Sequence, residues 1–129
     1  MHLARAAVLA EASHAELHLV SAYKSPTVMI AAPEVAVMVD QEEWRVAAKS
    51  EVERQLASVQ ATLQPKLSVI THALPHDPAK AIWETAEAVD ADLIVVGNKG
   101  MKGMRRVLGS VPSSVAHHAP CDVLIVQTT

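Results

Sequence analysis

The fold of this chain is decided by the segment Ala91-Asp-Leu-Ile-Val-Val-Gly-Asn-Lys-Gly-Met-Lys-Gly-Met-Arg-Arg-Val-Leu-Gly-Ser-Val-Pro112. It opens with an apolar run at residues 93–96 that lacks polar alternation, which is typical of a strand buried on both faces. All four glycines of the protein follow within residues 97–109. Open α/β sheets bind ligands where their strands end, so this segment is the first place to look for a binding site.

Further strands and helices alternate on both sides of this segment. Apolar runs at residues 67–70 and 123–126, and a weaker one at 17–20, predict three more strands. Apolar residues recur with the helical period in the first ten residues, and Asp40 with Glu43 predicts the start of a second helix that Pro65 ends. The apolar face of that second helix consists of Trp44, Ala48, Val52, Leu56, Val59 and Leu63.

Two shorter helices complete the pattern. Asp77 before Pro78 predicts a capped start, and Asp90 closes that helix. The last helix starts at Ser110 and carries His117 and His118 in its final turn, where positive charge suits the helix dipole. Alternation of helix and strand predicts one doubly wound, Rossmann-like α/β domain over residues 1–129, with a parallel sheet and helices on both faces.

Composition limits the function classes. The chain has 129 residues, 50% apolar and 19% charged, which suits a single core, and its net charge of −3 argues against a domain-wide surface for nucleic acid or anionic lipid. Aromatic residues make up only 2%, too few for stacking of unpaired bases. The single cysteine, Cys121, forms no intrachain disulfide and is interpreted as a small packing residue. No apolar run reaches membrane length, and we expect a cytoplasmic protein.

The glycine-rich loop is the one basic segment of an acidic chain. Lys99, Lys102, Arg105 and Arg106 are four of eleven fixed cations, and no acid lies between Asp92 and Asp122. Glycines allow close approach of backbone N–H groups to an anion, and Ser110 opens a helix. The loop is therefore interpreted as an anion-binding site, the alternative being a solvated basic turn whose glycines only reverse the chain.

Several familiar sites are excluded. No glycine is followed by lysine and then a hydroxyl residue, as a Walker loop requires, and the dinucleotide fingerprint has a different spacing and place. There is no Gly-x-Ser-x-Gly elbow and no paired-carboxylate site. His72 and His76 are separated by Pro75, which argues against a helical metal-binding pair. The residues alone predict a phosphate-binding α/β domain without visible catalytic machinery and without a metal site.

The glycine-rich segment, followed by His118-Ala-Pro-Cys-Asp-Val-Leu-Ile-Val126, resembles the universal stress protein family over essentially the whole chain. The resemblance implies a five-stranded parallel sheet of order 3-2-1-4-5, a homodimer formed through the last strand from Asp122 to Gln127, and a site for ATP or a related adenine nucleotide, with Mg²⁺ as its candidate companion. The implied nucleotide-binding residues are Ala22, Val96, Gly97, Lys99, Gly100, Gly109, Ser110 and Val111.

Two features depart from the family. The spacer from Met101 to Leu108 is one residue shorter than usual, and the family's first strand, with the acidic turn after it, has no counterpart. The expectation is a sheet with strand 1 missing: either the chain is a truncated or mis-started form of a longer protein, or the strands at Leu17 and Leu93 pair directly.

Three functions follow as alternatives. The first is a nucleotide-binding stress-response protein that regulates through protein contacts and hydrolyses ATP slowly at most. The second is a dimeric scaffold of the same fold that binds no nucleotide. The third is an enzyme of nucleotide hydrolysis or adenylyl transfer, for which the sequence offers no candidate base.

Overall fold

The computed structural model describes residues 2–23, 41–99 and 108–128. Helices and strands alternate through these residues in the predicted order. The elements are α1 His2–Ser13, β1 Leu17–Ala22, α2 Gln41–Ala61, β2 Val69–Leu74, α3 Pro78–Ala88, β3 Leu93–Lys99, α4 Ser110–His118 and β4 Asp122–Thr128. The predicted cap at Asp40 lies outside the described residues, as do the cations Lys102, Arg105 and Arg106.

Helix α3 begins and ends as its sequence predicts. The Asp77 carboxylate accepts a hydrogen bond from the Lys80 N–H at 3.3 Å, and Pro78 occupies the first turn, where its missing N–H costs nothing. At the other end Asp90 adopts a left-handed backbone with φ 54°, which allows the Ala91 N–H to reach the Ala86 carbonyl at 2.9 Å.

Replacement of the α3 cap gives a first test of the fold. Asp77→Ala removes the acceptor for the Lys80 N–H, and since the bond is long and exposed we expect a loss of about 0.5–1 kcal/mol in the free energy of unfolding. The measurement is urea unfolding followed by circular dichroism. Asp77→Asn keeps a capping oxygen and serves as the matched control. A loss as large for Asp77→Asn would contradict a capping role.

The described strands form two parallel pairs. β1 pairs with β2, from Leu17 opposite Val69 to Ala22 opposite Leu74, and β3 pairs with β4. Parallel pairing and the helical crossovers confirm the α/β class. The alternative prediction, that the strands at Leu17 and Leu93 pair directly, is wrong, because these strands belong to separate two-stranded sheets.

Helices α1 and α3 connect the two sheets. α1 contacts β1, β3 and β4, whereas α3 contacts β1 and joins β3 through a shared apolar cluster. Direct pairing would bring β1 and β3 to a spacing of about 4.8 Å. The two pairs are linked instead by helices that pack against strands of both sheets.

Each half of the molecule has its own apolar cluster. The cluster of α3, α4 and β3 contains Ala79, Ala86, Ile94, Val96 and Val115, and that of α2 and β1 contains Leu19, Tyr23, Val52 and Leu56. Val52 and Leu56 are buried, as the predicted apolar face of α2 requires. The prediction is wrong for Trp44 on the same face, because 59% of this residue is exposed. No described helix combines the length and apolar character needed to cross a lipid bilayer.

Candidate functional site

An asparagine at the end of β3 connects the two ends of the glycine-rich loop. Asn98 is 1% exposed, and its side-chain Oδ1 accepts a hydrogen bond from the Gly109 N–H at 2.8 Å. The bond spans eleven positions of sequence and joins the carboxyl end of β3 to the residue before α4. We call this contact the Asn98–Gly109 clamp.

The clamp fixes the backbone where α4 begins. Gly109 is the cap residue, with φ −63° and ψ 165°, and its carbonyl accepts the first helical hydrogen bond from the Ser113 N–H at 3.0 Å. Pro112 in the same turn has no N–H. The N–H groups of Ser110 and Val111 therefore lie in the first turn, where a helix provides no acceptor and its dipole is positive.

Glycine is required at position 109 by lack of space. A Cβ atom added there would lie 2.9 Å from Asn98 Oδ1 and 3.5 Å from Pro112 Cδ. The first of these distances is shorter than real Cβ contacts, and the buried Asn98 side chain has little freedom to withdraw. The backbone angles at 109 are open to any residue, so close packing alone selects glycine.

The structure brings most of the predicted nucleotide-binding residues to one place. Val96 is buried near the end of β3, Gly97 is half-buried after it, and the clamp links them to Gly109, exposed Ser110 and half-buried Val111. The nucleotide-binding roles of these residues stay predictions.

Of the other three predicted residues, one lies in the other sheet and two are not fully described by the structure. Ala22 is half-buried at the carboxyl end of β1, in the other sheet, and the Tyr23 N–H after it bonds to the Leu74 carbonyl at 2.9 Å. Lys99 ends β3 with its backbone opposite Thr128. The Lys99 side chain and Gly100 lie outside the described residues, so the anion-binding interpretation of the loop remains a prediction.

Asn98 is the residue that sequence reasoning missed. A polar residue directly after an apolar run that predicts a buried strand needs a hydrogen-bonding partner, because an unpaired buried amide is costly. The structure includes this residue in β3, whose first residue, Leu93, is 41% exposed. The sequence shows this signal as one asparagine between Gly97 and Lys99. Its partner at Gly109 could not be read from local spacing.

The reactive side chains nearby have structural partners. His118 Nδ1 lies 2.9 Å from the Ser114 carbonyl, and its ring lies against that of Trp83 with centroids 5.3 Å apart, which agrees with the predicted role at the end of α4. Burial raises the pKa of the half-buried Cys121 thiol, and Asp122 and Asp92 raise it further. A thiol held protonated in this way is a poor nucleophile, as the packing interpretation of Cys121 expects.

Comparisons with known proteins agree on one family. The model of the universal stress protein family matches residues 2–127. A universal stress protein of Synechocystis sp. is 52% identical over 52 residues, which is 40% of this chain and 34% of that protein. One from Mycobacterium tuberculosis is 49% identical over 53 residues, 40% of this chain and 36% of that protein. These alignments thus span little more than a third of each relative's length.

Solved structures extend the similarity to nearly the full chain. A universal stress protein in complex with cAMP is 32% identical and superposes with a TM-score of 0.60, covering 99% of this chain and 86% of that one. The universal stress protein UspA from Lactobacillus plantarum has a TM-score of 0.71 at 24% identity, over 97% of this chain and 86% of its own.

Proposed function

The chain belongs to the universal stress protein family, and from that premise we propose that it binds ATP or a related adenine nucleotide and acts in stress regulation through nucleotide-dependent protein contacts. The observation that carries the proposal is the Asn98–Gly109 clamp. It holds the start of α4 against the carboxyl end of β3, where α/β sheets bind their ligands.

The chemistry of this place suits a phosphate group. The N–H groups of Ser110 and Val111, with the Ser110 hydroxyl, are donors at the positive end of the α4 dipole. Gly97 and Gly100 allow close approach of the backbone, and Lys99 supplies a fixed positive charge. In this proposal Val96 borders the phosphates and ribose.

The adenine end of the ligand is assigned to the first sheet. Ala22 lies at the carboxyl end of β1, which runs parallel to β2, and its small side chain leaves room for a flat base. A solved relative at 32% identity has been crystallised with cAMP, an adenine nucleotide, which supports this ligand class.

Other parts of the proposal concern cofactor, assembly and location. Among the described residues there is no group of three or more acidic, histidine or cysteine side chains that could hold a metal ion. We propose that Mg²⁺ accompanies the nucleotide, held by its phosphates and water. We propose a homodimer that forms along β4, over Asp122 to Gln127, because the described structure pairs β4 only with β3. The proposed location is the cytoplasm.

A dimeric scaffold that binds no nucleotide is the second candidate. It is favoured by the eight-residue spacer from Met101 to Leu108, which is short for the family. Enzymatic turnover has no assigned base, and we propose slow hydrolysis at most.

Calorimetric titration separates these candidates. We expect ATP to bind the wild-type chain and Ser110→Ala to bind it about 10- to 100-fold more weakly, since a charge-assisted hydrogen bond contributes about 1.5–3 kcal/mol. Ser114→Ala is the matched control on the same helix and should bind as the wild type does. A folded wild-type chain that binds neither ATP nor cAMP at millimolar concentration would establish the scaffold instead.

A further inference from the structure

Two histidines lie on neighbouring strands of the β1–β2 sheet, and neither is among the residues proposed to bind the nucleotide. His18 on β1 lies opposite Ile70, and His72 on β2 lies opposite Val20, so the two are diagonal neighbours on one face. His18 Nδ1 and His72 Nε2 are 2.8 Å apart. The two residues are 54 positions apart in sequence, and only the strand register brings them together.

The rings meet edge to edge. Their planes differ by 28° and their centroids are 5.1 Å apart. With two ring nitrogens at 2.8 Å, centroids can be this far apart only when both rings extend outward along the line that joins the nitrogens. Each nitrogen thus points its lone pair or its proton at the other.

A carboxylate orients the first ring. Glu16 Oε1 lies 2.8 Å from His18 Nε2, which must carry a proton to make that hydrogen bond. In the neutral ring His18 Nδ1 is then an unprotonated acceptor that receives the proton of His72 Nε2. A carboxylate on the far nitrogen is the usual second partner of a metal-binding histidine, because it fixes the ring and raises the basicity of the free nitrogen.

We propose that His18 Nδ1 and His72 Nε2 form a two-histidine site for a divalent transition metal ion of the zinc class, with Glu16 as its orienting carboxylate. The ion takes the place of the proton between the rings, and His72 moves its own proton to Nδ1. Imidazole nitrogen is a preferred ligand of Zn²⁺, Ni²⁺ and Cu²⁺.

The site needs a small rearrangement. Zinc–nitrogen bonds of about 2.0–2.1 Å at a tetrahedral angle require the nitrogens to be about 3.3 Å apart, half an ångström more than here. His18 and His72 are both half-buried rather than enclosed, which lets their rings turn and lets water complete the coordination.

His76 provides an internal contrast. It lies 3.2 Å from Glu84 and thus has a carboxylate partner like that of His18, but the structure gives it no contact with a second histidine. If a histidine–carboxylate pair were sufficient, His76 would bind metal equally well. The proposal requires instead the two nitrogens that point at each other.

Zinc titration by calorimetry in a buffer free of chelators tests the site without any nucleotide. We expect one Zn²⁺ per chain, binding at least 100-fold weaker in His72→Gln, and a 10- to 100-fold loss in Glu16→Gln, as for other orienting partners. His76→Gln should bind as the wild type does. Circular dichroism melts establish that each variant is folded.

A spectroscopic readout keeps the proposal falsifiable if a variant unfolds. In the wild-type chain Zn²⁺ should shift the ¹⁵N resonances of His18 Nδ1 and His72 Nε2 and leave those of His76 unchanged. Absence of zinc binding, equal binding by His72→Gln, or a shift at His76 alone would each overturn the site and would leave the proposed nucleotide function unaffected.

Discussion

Asn98→Ala is expected to lower the free energy of unfolding by about 2–4 kcal/mol. The substitution leaves the half-buried Gly109 N–H without its acceptor, which costs up to about 1–3 kcal/mol. It also empties space around a side chain that is 1% exposed, so loss of packing adds to that penalty.

Urea unfolding with a matched surface variant measures this effect. Gln64 is exposed in the turn after α2, so Gln64→Ala shortens a comparable amide far from the clamp and from β4. We expect Gln64→Ala to remain within about 0.5 kcal/mol of the wild type. If Asn98→Ala is as stable as Gln64→Ala, the clamp does not hold the start of α4.

The order of elements was predictable because its signals are local. Asp77 and Pro78 mark a helix start by their own chemistry, and Asp90 terminates the same helix through a backbone conformation that it tolerates. The apolar run of β3 and the clustered glycines likewise indicated where the candidate site would lie. These inferences needed no knowledge of which strands are neighbours.

The missed features depend on contacts between distant residues. The sequence could not exclude direct pairing of the strands at Leu17 and Leu93, which the structure places in separate sheets, with α1 in contact with strands of both. The helical period placed Trp44 on the apolar face of α2, but no partner covers that part of the helix among the described residues. Asn98 needed a partner eleven positions away, and His18 one 54 positions away.

The contact between Asn98 and Gly109 also shows why glycine is needed at position 109. Clustered glycines at the end of a strand indicated an anion site, with backbone freedom as the reason. At Gly109 the backbone has ordinary angles, and the requirement comes instead from the Asn98 side chain. Gly109 is therefore coupled to Asn98, and substitutions at the two positions should not be additive.

Gly109→Val is expected to abolish ATP binding, by at least 100-fold, and to destabilise the fold by about 1–3 kcal/mol through overpacking. Its Cβ would lie 2.9 Å from Asn98 Oδ1, so either the clamp opens or α4 moves away from β3. Both outcomes displace the N–H groups of Ser110 and Val111. Leu108→Val places the same side chain one residue earlier, at an exposed position, and should change neither quantity.

Coupling between the two clamp residues can be measured with a smaller substitution. Gly109→Ala introduces only the atom that meets Asn98 Oδ1, and Asn98→Ala removes that oxygen. The destabilisation caused by Gly109→Ala should therefore be smaller by about 1 kcal/mol or more in the Asn98→Ala background, within the range of coupling between residues in contact. Additive losses in this double-mutant cycle would mean that glycine at 109 serves something other than the clamp.

For the Gly109→Val variant the contradicting outcome is different: full ATP binding would place the phosphates away from the start of α4.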